Sequence, residues 1–127
     1  VCPNCSGAVD STLRVCEDHD PSDGLCEECG TAERLETRYL CPICKWAWQA
    51  PPRLAVATHP VVVSSYYERG VEFDVASYDD YARTTEWDQE LLAVEPAEVR
   101  VTVPFEDGAL ELTLDEEMEL VDASETP

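Results

Sequence analysis

A small α+β protein, built of tandem zinc ribbons followed by a helix packed on a three- to four-stranded antiparallel β-meander, is predicted by three observations. Four pairs of metal-ligating side chains at one spacing occupy the first 44 residues. An apolar stretch opened by Pro60 and closed by Gly70 follows, and beyond Leu91 apolar and polar residues alternate.

The four pairs are Cys2/Cys5, Cys16/His19, Cys26/Cys29 and Cys41/Cys44. Each is separated by two residues, the spacing that lets a tight turn aim both side chains at one ion. Seven cysteines suit a closed disulfide framework badly, whereas His19 completes the eight ligands that two tetrahedral zinc ions need. Two Zn2+ ions are therefore expected. Ten residues separate the pairs of the first unit and eleven those of the second, and Leu13-Arg14-Val15 and Arg38-Tyr39-Leu40 give each unit strand character before its second pair. In the tandem arrangement one zinc takes Cys2, Cys5, Cys16 and His19, and the other takes Cys26, Cys29, Cys41 and Cys44. The rival is cross-braced, with Cys2, Cys5, Cys26 and Cys29 around one ion and Cys16, His19, Cys41 and Cys44 around the other. Ten-residue hairpins and the polar linker 20–24 favour the tandem form. Four protein ligands leave no position for water or substrate, which makes these zincs structural.

Residues 1–50 thus form a double zinc-ribbon segment, too short to bury an adequate core without metal. Residues 51–127 form a helix plus meander segment packed with it as one unit. Trp46 and Trp48, two apart, share one face of a strand and are expected to enlarge the small core. Pro60 at the first helical position and Gly70 past the last predict a helix, with His59 at or beside its N-cap and outside the metal sites. Val62 with Tyr66, and Val63 with Tyr67, stand four apart on that helix. Tyr66, Tyr67 and Trp48 are the candidate lining of a ligand pocket. Residues 77–90 read as a short helix or an irregular crossing. Val99, Val101, Val103 and Phe105, then Leu110, Leu112 and Leu114 after the turn at 106–108, give a hairpin with one apolar face, extended by strands near 91–94 and 119–121.

Charge narrows the partners. There are 28 acidic against 8 basic residues, a formal net charge of −20. Such a surface repels phosphate backbones, so this segment alone is not expected to bind nucleic acid. Seven of the eight basic residues are arginines and the acids are spread along the chain, which points to a halophilic source. No signal peptide or run of 18 apolar residues is present, so a cytoplasmic protein with no membrane partner is expected. The chain begins at Val1, one residue before a ligand, and an N-terminal domain is expected to precede it. No phosphate loop and no Ser/His/Asp arrangement appears, which argues against an enzyme.

In their order, Cys2-Pro-x-Cys5, Val15-Cys-Glu-Asp-His19, Asp23-Gly24, Cys26-x-x-Cys-Gly30, Cys41-x-x-Cys44, the proline-led helix and the meander resemble the C-terminal domain of haloarchaeal ArsR-like winged helix-turn-helix transcriptional regulators. The resemblance implies a non-enzymatic zinc-binding module for effector sensing or dimerisation. DNA would be bound only through the missing N-terminal domain, a homodimer is an expected partner state, and the effector is unknown. Two alternatives from other classes are a thiol- or metal-responsive sensor and a small-molecule or protein-interaction domain with purely structural zinc.

Overall fold

Alternation of apolar and polar side chains along the closing strands dictates the larger of two antiparallel sheets. The computed structural model describes residues 2–16 and 34–126. Strands β4 (Asp88–Val94), β5 (Ala97–Phe105), β6 (Gly108–Leu114) and β7 (Leu120–Thr126) follow one another in sheet order. Along β5 every second residue is buried, and the register sets Val99 against Leu114, Val101 against Leu112, and Val103 against Leu110. These three cross-strand pairs form the buried face of the meander, while Arg100 on the other face pairs with Glu90 across β4. A cis Glu95–Pro96 bond lies between β4 and β5, and Gly108, at φ 147°, opens β6 after the two-residue turn.

The smaller sheet has the order β1 (Asp10–Val15), β2 (Leu35–Leu40) and β3 (Ala47–Ala50). One of its faces runs into the same core: Leu13, Leu35 and Ala50 are buried, and Leu13 and Leu35 share an apolar cluster with the β5 and β6 side chains. Two polar contacts join the sheets. The Leu13 N–H donates to the Glu116 carbonyl at 2.7 Å, and the buried Thr37 hydroxyl lies 3.4 Å from the Met118 sulfur. The turn that carries Glu116 and Met118 is built by Asp115, whose Oδ1 accepts from the Glu117 and Glu119 N–H groups.

Three short helices complete the fold, α1 (Pro52–Ala55), α2 (Pro60–Glu68) and α3 (Tyr78–Arg83). The α2 boundaries follow the signals in the sequence. His59 caps it, with Nδ1 accepting the Val61 N–H at 3.1 Å, and Gly70, at φ 78°, lets the chain turn away. Val62 and Tyr66 are buried on its inner side. Tyr66 stacks on Phe73 at 4.5 Å and meets Phe105 of β5 edge-on at 4.9 Å, while Trp87 closes the group 5.6 Å from Phe73. Residues 77–90, expected to be a short helix or irregular crossing, contain α3, a single 3-10 turn and the first residues of β4.

A candidate metal centre and a neighbouring aromatic groove

Antiparallel pairing of β1 with β2 decides which thiols meet. Because Asp10 opposes Leu40, the residues just before β1 come beside those just after β2. The Sγ atoms of Cys2, Cys5, Cys41 and Cys44 all lie within 4.8 Å of one another. Neither pairing weighed from the spacing brings these four together. The tandem set fails for a geometric reason: Cys16 follows β1 whereas Cys2 and Cys5 precede it, and a six-residue strand spans about 20 Å. Among the described residues the tandem grouping is corrected accordingly: Cys2 and Cys5 meet Cys41 and Cys44 beside the start of β1 and the end of β2, and not Cys16. Cys16 lies at the opposite end, its N–H donating to the Arg34 carbonyl at 3.0 Å. His19, Cys26 and Cys29 lie outside the described residues.

Two turns of the same construction present the sulfurs. In Cys2-Pro-Asn-Cys5-Ser6-Gly7 the Ser6 N–H donates to the Cys2 carbonyl at 2.8 Å and the Cys2 N–H to the Gly7 carbonyl at 2.8 Å. In Cys41-Pro-Ile-Cys44-Lys45-Trp46 the Lys45 N–H donates to the Cys41 carbonyl at 2.9 Å and the Cys41 N–H to the Trp46 carbonyl at 2.8 Å. Each turn places the residue after its second cysteine in the left-handed region, Ser6 at φ 64° and Lys45 at φ 68°. A Cβ on Gly7 would come 2.8 Å from Ile43 Cδ1 and 3.4 Å from Cys5 Sγ, so this glycine lets the two turns approach.

The donor set fits a tetrahedral thiolate-bound ion. Four sulfurs at about 2.3 Å from zinc stand about 3.8 Å apart, and here Cys2 Sγ lies 3.6 Å from Cys44 Sγ and Cys5 Sγ 3.5 Å from Cys41 Sγ. These separations are far beyond a disulfide bond of about 2.05 Å. Proton affinities within the cluster diverge. Hydrogen bonds from the Asn4 side chain and then the Trp46 N–H hold the Cys44 thiol down to about 6. The Cys44 and Ile43 backbone N–H groups lower that of Cys41. At Cys5 the Gly7 N–H lowers the affinity, but the Cys41, Cys44 and Cys2 sulfurs and desolvation together push it up to about 12. The cluster thus holds thiols with proton affinities pulled in opposite directions, and binding of a divalent cation to thiolates displaces protons.

The candidate pocket residues separate. Tyr66 is buried in the aromatic cluster of the core, Tyr67 is 72% exposed, and Trp48 is 48% exposed and stacked on Tyr39 at 5.7 Å. Trp48 and Trp46 were expected to enlarge the core; instead both line an open groove of about 500 Å³ between the small sheet and the helical layer. Cross-strand register explains why. Ser11 opposes Tyr39, and Tyr39 opposes Trp48, on the face whose next row, Leu13, Thr37 and Ala50, is buried. The aromatic row emerges from the core and becomes a wall. Across the groove stand Leu54, Ala55, Thr58, the 74–76 segment and Tyr81. The period-two spacing of Trp46 and Trp48 was the visible signal; the facing residues depend on the tertiary fold.

A family model described as "Domain of unknown function (DUF7351)" matches residues 1–120. Neither the curated proteins nor the solved structures contain a match to the chain. Among the described residues no helix is long and apolar enough to cross a membrane.

Proposed function

The chain belongs to the DUF7351 family, and we propose that it is a non-enzymatic, zinc-stapled regulatory domain of a haloarchaeal ArsR-like transcriptional regulator. The observation that carries this reading is the convergence of Cys2, Cys5, Cys41 and Cys44 from two like turns. Four thiolates suit zinc and fill its tetrahedral shell, leaving no site for a reacting water, which supports a structural ion over a catalytic one. The second zinc expected from the eight-ligand count would draw on the remaining candidates, Cys16, His19, Cys26 and Cys29, of which only Cys16 lies among the described residues. The regulatory role rests on the resemblance in motif order. Under it, DNA is bound by an N-terminal winged helix-turn-helix domain in the cytoplasm, and this domain senses an effector or supports a homodimer.

A thiol- or metal-responsive sensor is the second reading, favoured by the exposure of Cys5 beside buried Cys2 and Cys41. An oxidant can reach one corner of the cluster while the rest is protected.

Elemental analysis of freshly purified protein tests the proposal. Two zinc ions per chain are expected, with Cys41→Ser losing one of them together with cooperative thermal unfolding; less than one zinc in the parent protein would overturn the reading. Zinc released by mild peroxide and regained on reduction would select the sensor, and thiols inert to that treatment would remove it.

A further inference from the structure

The groove beside the metal centre carries a chemistry that the zinc reading does not use. Its lining is aromatic on both sides: Tyr39, Trp46 and Trp48 from the small sheet face Tyr81 from α3. Among the described residues that line it, Asp74 is the one acidic residue and none is basic. The exposed Asp74 side chain takes part in a local turn, and its backbone is tied to Asp80. Its Oδ1 accepts the Ala76 N–H at 2.9 Å, and its own N–H donates to Asp80 Oδ2 at 3.0 Å. Asp80 in turn is paired with Arg83 at 3.3 Å, whereas Asp74 has no ion pair among the described residues. Asp74 is exposed to solvent, so the groove offers a cation its aromatic rings first and a solvated counter-charge beside them.

We infer that this groove binds a small organic cation of the alkylated ammonium class, with the aromatic rings receiving its methyl groups and Asp74 balancing its charge. Three physical arguments select this class. Aromatic faces attract cations through their quadrupoles, and a methylated ammonium, unlike a metal ion or a primary ammonium, gives up little hydration on entering such a site. A cavity of about 500 Å³ lies within the range of small-ligand sites. The chain's net charge of −20 raises the local concentration of cations and excludes anionic ligands. The inference stands on the groove itself and does not depend on the regulatory role.

The test uses zinc-loaded protein titrated at fixed salt with choline and with 3,3-dimethylbutan-1-ol, the uncharged isostere of the same shape, and followed by tryptophan fluorescence and calorimetry. Choline is expected to bind saturably and about tenfold more tightly than the isostere, a ratio within reach of cation–π attraction summed over several rings. Trp48→Ala should abolish the preference. Asp74→Asn, which keeps the acceptor for the Ala76 N–H, should weaken choline and leave the isostere unchanged, with zinc content and melting temperature as in the parent. Equal binding of the two compounds, no saturation by choline, or an Asp74→Asn variant that binds choline as the parent does would each overturn the inference.

Discussion

Lys45 holds a backbone conformation that side chains resist, and it does so at the turn that positions Cys41 and Cys44. A non-glycine residue in the left-handed region costs about 1–2 kcal/mol, part of which glycine returns through greater unfolded-state entropy. Lys45→Gly is therefore expected to raise stability by about 0.5–1 kcal/mol in denaturant unfolding of the zinc-loaded protein, with unchanged zinc content. The side chain contributes only an exposed hydrogen bond from Nζ to the Pro42 carbonyl at 3.0 Å, so little opposes the gain. Ser6 stands at the corresponding place in the first turn. A different balance governs Arg69, whose guanidinium lies 4.0 Å over the Phe105 ring and 2.9 Å from Asp107. That contact lowers the Asp107 affinity for protons, so its small stabilising effect is present above the ordinary carboxyl range and is lost as pH falls through the depressed value.

Among the elements, the meander bears the largest share of apolar burial. Leu112 is fully buried in the core beside its cross-strand partner Val101, and Leu112→Ala should cost about 2–5 kcal/mol in the same unfolding assay. Val121 on β7 is 58% exposed, and its replacement by Ala should stay within about 0.5 kcal/mol. The buried half of this contrast was readable from sequence, because period-two alternation along β5 and β6 assigns Leu112 to the apolar face, whereas β7 carries no such alternation to place Val121. Helix α2 was equally readable, since Pro60 and Gly70 mark its ends by local sterics and His59 caps it. The ligand pairs were also legible, but not their grouping. Spacing sets what a turn can do, whereas grouping follows from β1 lying antiparallel to β2, which sets Ser11 opposite Tyr39 across 27 intervening residues. The groove escaped for the same reason: Asp74 and Tyr81 reach Trp48 only through the tertiary fold.

At the scale of the whole molecule, 28 acidic residues repel one another through water, and 8 basic residues leave a net charge of −20. Raising potassium chloride from about 0.1 M to 1 M shortens the screening length from about 10 Å to about 3 Å. The melting temperature is expected to rise over that range, as differential scanning calorimetry would register; a constant or falling value would contradict salt adaptation. Core and charge are thus opposed, and the thiol cluster lies where the small sheet has least apolar burial to contribute. Trp46 connects that cluster to the rest. Its carbonyl anchors the Cys41 turn and its side chain lines the aromatic groove. If the cluster holds zinc and the groove a cation, as proposed, one residue would serve both sites. Thermodynamic reciprocity then applies: by whatever factor zinc tightens the groove for its cation, the cation tightens the cluster for zinc. Under the two proposals together, any such factor above one would make the retention of metal depend on whether the groove is filled.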